Sequence, residues 1–98
     1  MALELHRTFK QILERVGLSY EIEYRIRRMA DRLPPILDKI YLKTETGRQS
    51  LNQCMEKTDV FIRHLNPDEE KIFYFLTDLE KYYEEFIKTA YLFHVQAP

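Results

Sequence analysis

The C-terminal third of the chain, from Asn66 to His94, constrains the fold more than any other stretch. It begins with Asn-Pro-Asp-Glu, in which asparagine is a preferred N-cap, proline suits the first helical position, and the acidic groups favour the positive end of the helix dipole. Apolar residues then recur at helical spacing, namely Ile72, Phe73, Leu76, Leu79, Tyr83, Phe86, Ile87 and Ala90. The pattern predicts one continuous helix about 40 Å long.

The apolar arc of this helix is wider than a single neighbour requires. Its edges carry further aromatic side chains, namely Phe75, Tyr82 and Phe93 on one side and Phe73 and Tyr91 on the other. The arc covers about 180°, against the roughly 100° of a helix that lies on a core. We therefore expect the helix to contact at least two neighbours, or one neighbour and a partner protein. Glu80 falls inside the arc, and we expect its carboxylate at the rim of the core.

Two helices are predicted before residue 34. The first, Leu3–Val16, has the apolar stripe Leu5, Phe9, Ile12, Leu13 and Val16. Gly17 is placed to end it in the left-handed conformation. Ser19 can cap a second helix, whose apolar residues Ile22, Ile26, Met29 and Leu33 form a heptad-like seam. Pro34-Pro35 ends this helix, because the residue before a proline is pushed out of the helical region.

The segment from Pro35 to Leu65 has two readings. Pro35 can start a short third helix with the apolar face Ile36, Leu37, Ile40 and Tyr41. Residues Thr44 to Gly47 then form a loop before a fourth helix, Arg48–Leu65, with the stripe Leu51, Cys54, Met55, Thr58, Phe61, Ile62 and Leu65. The alternative is a single bent helix, since an isolated glycine costs only about 1 kcal/mol in a helix interior.

These elements predict an all-α fold, an up-and-down bundle of four or five helices with a long C-terminal helix, in one domain that spans residues 1–98. The connections are short, so sequential helices should be antiparallel neighbours. The chain has only two glycines and no run of β-branched residues, which argues against a sheet. The composition, 45% hydrophobic and 13% aromatic, excludes wholesale disorder.

Charge, cysteine content and hydropathy limit the functional classes. The net charge of −1 gives no general reason to expect nucleic acid. A single cysteine excludes an internal disulfide and suggests a reducing compartment. No apolar run approaches the roughly 20 residues of a membrane span, and the N-terminus lacks the apolar core of a signal peptide. We expect a cytoplasmic protein that does not enter a membrane.

Catalytic and metal-binding signals are weak. The three histidines, His6, His64 and His94, are isolated in sequence and form no ligand cluster. Cys54 lies on an apolar stripe without a histidine beside it, so we expect a structural role. No glycine-rich phosphate loop is present. The sequence therefore predicts neither an enzyme nor a site for a cofactor or metal.

Four arginines of the second helix form the strongest charged cluster. Arg25, Arg28 and Arg32 share one face, and Arg27 lies beside it. One reading is an anion-binding or nucleic-acid-binding patch with Tyr20 and Tyr24 as stacking partners. The favoured reading is a solvated face whose arginines pair with acidic side chains. The patch supports only the alternative function, a nucleic-acid-associated regulator.

The large number of aromatic residues in the last helix is the feature from which we infer the favoured function. Eight of the 13 Phe and Tyr residues lie between Phe73 and Phe93. Tyr74 and Leu92 project to the polar side of the helix, and tyrosine is enriched where proteins meet. We predict a small protein-binding module, an adaptor, chaperone or inhibitor, that binds another protein or a second copy of itself as a homodimer. The predicted protein-binding residues are Tyr74, Tyr82, Tyr91 and Phe93.

Overall fold

The computed structural model describes the backbone of residues 2–33, 39–66 and 68–96 and the side chains of residues 4–33, 41–66 and 68–93. Within these residues the chain forms five helices and no strand: α1 (Ala2–Leu13), α2 (Tyr20–Arg32), α3 (Lys39–Lys43), α4 (Glu45–Arg63) and α5 (Ile72–Gln96). The predicted all-α bundle with a long C-terminal helix is confirmed.

The core is built on one side of α5. Its buried residues, which we call the core stripe, are Ile72, Leu76, Leu79, Tyr83, Phe86, Ile87 and Ala90. Phe9 of α1 lies edge-on to Tyr83, with ring centroids 6.0 Å apart. Tyr41 of α3 contacts Phe86 further along the helix, also at 6.0 Å. Because α5 also packs against α2 and along α4, the expectation of more than one neighbour is confirmed.

Cross-helix contacts show the direction of each helix. Arg25 and Arg32 of α2 contact Glu80 and Glu84 of α5 in the same order, so these two helices run parallel. On α4 the order is reversed, since Lys57 contacts Asp78 and the later residue His64 contacts Phe75. Lys10 of α1 also pairs with Asp31 of α2, at 4.0 Å. The alternating direction predicted for an up-and-down bundle is therefore confirmed for α2, α4 and α5.

The connection between α1 and α2 differs from the sequence expectation. The first helix ends at Leu13 rather than Val16, and Val16 is fully exposed, so its assignment to the core was wrong. The backbone N–H groups of Glu14 and Arg15 donate hydrogen bonds to the carbonyls three residues earlier. The resulting tighter turn redirects the chain before α2. Gly17 has the expected positive φ, at +90°, but it lies four residues beyond Leu13 and does not end α1. Ser19 caps α2 by accepting from the Ile22 N–H at 3.3 Å.

The seam predicted for α2 is confirmed in full. Ile22, Ile26, Met29 and Leu33 are all buried, together with Ala30. The Tyr83 hydroxyl donates to the Met29 carbonyl at 2.5 Å, so a buried polar group of α5 is satisfied by the backbone of α2. Pro34, Pro35, Ile36 and Leu37 lie outside the described residues, as does the side chain of Ile40.

The loop predicted at residues 44–47 was wrong. Only Thr44 interrupts the helices: its extended backbone separates α3 from α4, and its hydroxyl accepts from the Gly47 N–H at 3.0 Å. The same hydroxyl donates to the Tyr41 carbonyl at 2.6 Å, so one threonine serves both helix ends. Gly47 lies in the first turn of α4, where a Cβ would fall 2.2 Å from the Tyr41 carbonyl oxygen.

The start of α5 was also placed too early. The helix begins at Ile72 rather than at Asn66, and the Asn66 side chain instead accepts from the Asp68 N–H at 3.1 Å in a local turn. Glu69 contacts the His64 ring, with Oε1 and Nδ1 2.6 Å apart, which holds this turn against the end of α4. With 25 residues, α5 still spans about 37 Å.

Replacing Phe86 by alanine tests the core stripe. The ring is almost fully buried and contacts Tyr41, so we expect the free energy of unfolding to fall by roughly 3–5 kcal/mol. Urea denaturation followed by circular dichroism measures this loss. Tyr74→Ala on the exposed side of the same helix is the matched control and should change stability by less than about 0.5 kcal/mol. Equal losses in the two variants would contradict this assignment of faces.

Replacing Gly47 by alanine tests the close approach of α3 and α4. Alanine is favoured over glycine by about 1 kcal/mol in a helix, whereas inserting atoms into a packed site costs typically 1–3 kcal/mol. Because the clashing atom is a backbone oxygen, we expect the clash to prevail and stability to fall by about 1–2 kcal/mol. Gln53→Ala, at an exposed position of α4, should leave stability unchanged or slightly raised; a stabilised Gly47→Ala variant would refute the contact.

Candidate protein-binding surface

A second line of residues on α5 lies diametrically opposite the core stripe. At 100° per residue its members are centred near the far side of the helix, with spacings of 4, 3, 4, 3 and 4 residues. We call them the outer stripe: Tyr74, Asp78, Lys81, Glu85, Lys88 and Leu92. All are exposed except Asp78, which is half-buried. The helix therefore presents a regular surface of its own away from the bundle.

Large apolar side chains remain in solvent on α5. The exposed fraction is 68% for Tyr74, 61% for Tyr91 and 45% for Leu92. Phe73, which the sequence pattern assigned to the apolar face, is 39% exposed, so its place in the core was wrong. It lies at the edge facing α2, where the Arg25 guanidinium is 6.0 Å from its ring centroid. The exposed apolar groups thus lie on the outer side and one flank of the helix.

The four predicted protein-binding residues divide between surface and core. Tyr74 and Tyr91 are exposed as expected. Tyr82 is half-buried on the flank facing α4, where the Lys57 ammonium lies 4.9 Å from its ring centroid. Phe93 packs against the core, with its ring centroid 5.3 Å from that of buried Tyr41. Phe93 therefore serves the packing between α3 and α5, and the other three residues remain accessible from outside.

The arginine face of α2 is largely engaged within the molecule. Arg25 donates to both carboxylate oxygens of Glu80, and its Nη2 also donates to the Thr77 hydroxyl at 3.1 Å. Arg32 binds Glu84 through two hydrogen bonds of 2.5 and 3.2 Å. These paired bonds have the fork geometry that arginine forms with carboxylates. The hydrogen bond from Glu80 raises the pKa of Arg25, and that from Glu84 raises the pKa of Arg32.

The remaining two arginines do not complete an anion-binding cluster. Arg27 pairs with Glu23 one turn earlier on α2, at 2.7 Å. Among the described residues Arg28 makes no ion pair. Tyr20 and Tyr24 are exposed, but they stack on each other with ring centroids 6.4 Å apart. The nucleic-acid alternative therefore gains no support from this arrangement.

Glu80 lies at the rim of the core, as we expected from its position in the apolar arc. Its side chain is 30% exposed, at the boundary between core and solvent, and its charge is balanced by Arg25. On the opposite flank Asp78 pairs with Lys57 at 3.2 Å, and this hydrogen bond raises the pKa of Lys57. Each flank of α5 thus carries an ion pair to a neighbouring helix. The three charged residues of the outer stripe that follow Asp78 have no such partner among the described helices.

Cys54 is confirmed as a buried thiol of the core. Burial raises its pKa from 9.0 to about 12, so the thiol is neutral at physiological pH, unlike the low-pKa thiols of reactive cysteines. Within the described residues no three histidine, cysteine, aspartate or glutamate side chains are placed to hold a metal ion. These positions provide no catalytic or metal-binding constellation.

One cavity lies between the end of α5 and the junction of α3 and α4. Its volume is about 290 Å³, at the lower limit of the range for small-molecule sites. The lining residues are Tyr41, Thr44, Thr46, Thr89, Leu92 and Phe93. The lining contains no carboxylate, histidine, lysine, arginine or cysteine, and the Thr44 hydroxyl is already bonded as a helix cap.

The charged members of the outer stripe were not among the binding residues predicted from the sequence. Asp78, Lys81, Glu85 and Lys88 belong to the polar side of an amphipathic helix, which ordinarily faces solvent. The signal that could have identified them is their spacing, because it matches a heptad seam and includes Tyr74 and Leu92 at its two ends. Only the burial of the opposite face shows that this seam remains accessible.

Comparisons of the chain with protein-family models, curated proteins and solved structures found no match. Function is therefore inferred from the geometry of the described residues. Of the helices that the structure describes, none combines the length and the apolar character needed to cross a bilayer.

Alkaline denaturation tests the burial of Cys54. The unfolded thiol releases its proton above pH 9.0, whereas the buried thiol keeps it until about pH 12. Between these values the unfolded state binds fewer protons, so the free energy of unfolding falls as pH rises. From pH 8 to pH 10 the wild type should lose about 1 kcal/mol more than Cys54→Ala in urea titrations. Parallel pH dependence in the two proteins would contradict a buried, neutral thiol.

Proposed function

We propose that the chain is a small protein-binding module that binds another polypeptide through the outer side of α5. The observation that carries this proposal is the exposure of Tyr74, Tyr91 and Leu92 on a helix whose opposite side is already buried in the core. Single exposed apolar side chains are ordinary on soluble proteins. Three on one helix, two of them tyrosines, form the type of surface that protein interfaces use.

The rigidity of α5 supports this role. The core stripe holds the helix from its first residue to Ala90, and ion pairs to α2 and α4 hold its two flanks. Side chains on the outer stripe are therefore presented in a fixed relative geometry before any partner arrives. Pre-ordering of this kind lowers the entropic cost of association, because the backbone does not need to be ordered on binding.

The proposed role involves no catalysis, cofactor or metal. The neutral thiol of Cys54 and the uncharged lining of the cavity both favour binding over chemistry. We place the activity in the cytoplasm, which is consistent with a single free cysteine. The partner is expected to contact Tyr74 and Tyr91 first, with Tyr82 at the edge of the contact.

Site-specific photocrosslinking tests the proposal. A benzophenone amino acid replaces Tyr74 in one variant and Gln53 in a control, since both positions are exposed on helices but only Tyr74 lies on α5. After irradiation in cells of the native host, Tyr74 should give discrete protein adducts at a yield about tenfold above the control. Equal yields at the two positions would overturn the proposal.

A further inference from the structure

We propose that the polypeptide bound to the outer stripe is a second copy of the same chain, with the two α5 helices antiparallel across a two-fold axis at the level of Tyr83. This inference rests on the proposed function, because it assigns the occupant of that same surface. The argument for it is charge complementarity. The six residues of the outer stripe are arranged symmetrically in sequence about Tyr83: they lie two, five and nine residues before it and two, five and nine residues after it.

Antiparallel pairing brings every member of the outer stripe opposite a suitable partner. Two positions from Tyr83, Lys81 lies opposite Glu85 of the second copy. Five positions away, Asp78 lies opposite Lys88 of the second copy. We call each outer-stripe residue together with the residue opposite it a layer. Two-fold symmetry repeats each pair, so the four central layers hold four ion pairs and no like charges. A surface that is complementary to itself in this way is the requirement for a closed homodimer.

Apolar contacts close both ends of this pairing. Nine positions from Tyr83, exposed Tyr74 lies opposite exposed Leu92 of the second copy, and the same contact recurs at the other end. On the flanks of an antiparallel pair, Tyr82 approaches its own counterpart near the axis and Tyr91 approaches Thr77 of the second copy. Tyr74, Tyr82, Tyr91 and Leu92 thus enter one interface, which buries apolar groups that the isolated chain leaves in water.

The charges also exclude the other orientation. In a parallel, in-register pair Lys81 would meet Lys81 of the second copy and Glu85 would meet Glu85, which is unfavourable at every charged layer. Among the described residues, the outer stripe forms no ion pair within itself; Asp78 alone is paired, to Lys57 of α4. Lys81, Glu85 and Lys88 are exposed and therefore available to a second copy.

The predicted dimer is weak and depends on concentration. From Tyr74 to Leu92 the contact is about 27 Å long and consists of one helix pair, which is smaller than a standard protein interface of about 1,600 Å². The ion pairs define orientation and register more than affinity, because each loses solvation on pairing. Affinity comes mainly from the apolar contacts at the two ends.

Charge reversal with complementary mixing tests the dimer. Sedimentation equilibrium of the full chain at low salt, from about 5 to 500 µM, should show the mass rising from 12.0 kDa toward twice that value. Lys81→Glu and Glu85→Lys should each weaken self-association by at least about tenfold, because each places like charges in two symmetric layers. An equimolar mixture of the two variants should recover the wild-type association, since every altered layer again holds opposite charges.

Two controls separate this pairing from other effects. Glu56→Lys reverses an exposed charge on α4 and should leave self-association unchanged. Lys81 and Glu85 are also four residues apart on one helix, but an intrahelical pair cannot be restored by mixing two different chains. Circular dichroism of each variant should show unchanged helix content, since the replaced residues are exposed.

The inference is overturned if the wild type stays at 12.0 kDa throughout, or if the mixture associates no better than either variant. The proposed function fails separately, by equal photocrosslinking yields at Tyr74 and at Gln53. If adducts form selectively at Tyr74 and none has twice the mass of the chain, the protein-binding role stands and the second copy is excluded as its partner.

Discussion

Burial of the core stripe of α5 is the interaction on which the rest of the bundle depends. α2, α3 and α4 each pack against this helix, and α1 reaches it through Phe9. Tyr83 lies at the centre, where burial of its ring is combined with a hydrogen bond from its hydroxyl to the Met29 carbonyl. A buried tyrosine hydroxyl without such a partner would cost about 1–3 kcal/mol, so this bond also favours the observed position of α2 against α5.

The burial of one side of α5 determines what the other side can do. A helix packed along one stripe cannot rotate, so the residues opposite that stripe stay in solvent at fixed positions. On the flank of α5 that faces α2, Arg25 and Arg32 form ion pairs with Glu80 and Glu84. These bonds use most of the positive charge of the arginine face inside the molecule. The outer stripe of α5 combines exposed apolar groups with three charged residues, Lys81, Glu85 and Lys88, that form no ion pair among the described residues.

Helix types and buried faces were predictable from periodicity, whereas helix ends were not. The seam of α2 and the stripe of α4 follow from spacing, because a repeat near 3.6 residues places one face against a core. The start of α5 was misplaced because Asn66 satisfies a local turn as readily as a helix cap. The junction at Thr44 was missed since one side chain serves two helix ends, which depends on how closely the helices approach.

By itself, the sequence determined the class of fold and most of the buried side of α1, α2, α4 and α5, since these depend on local spacing, caps and amphipathicity. Only the tertiary structure decided which charges are engaged and which aromatic rings remain outside. Arg25 and Glu80 are 55 residues apart, and Phe93 turns inward onto Tyr41 while Tyr74 stays exposed. Such outcomes depend on which helices become neighbours, and that is settled when the apolar faces of the whole chain pack together.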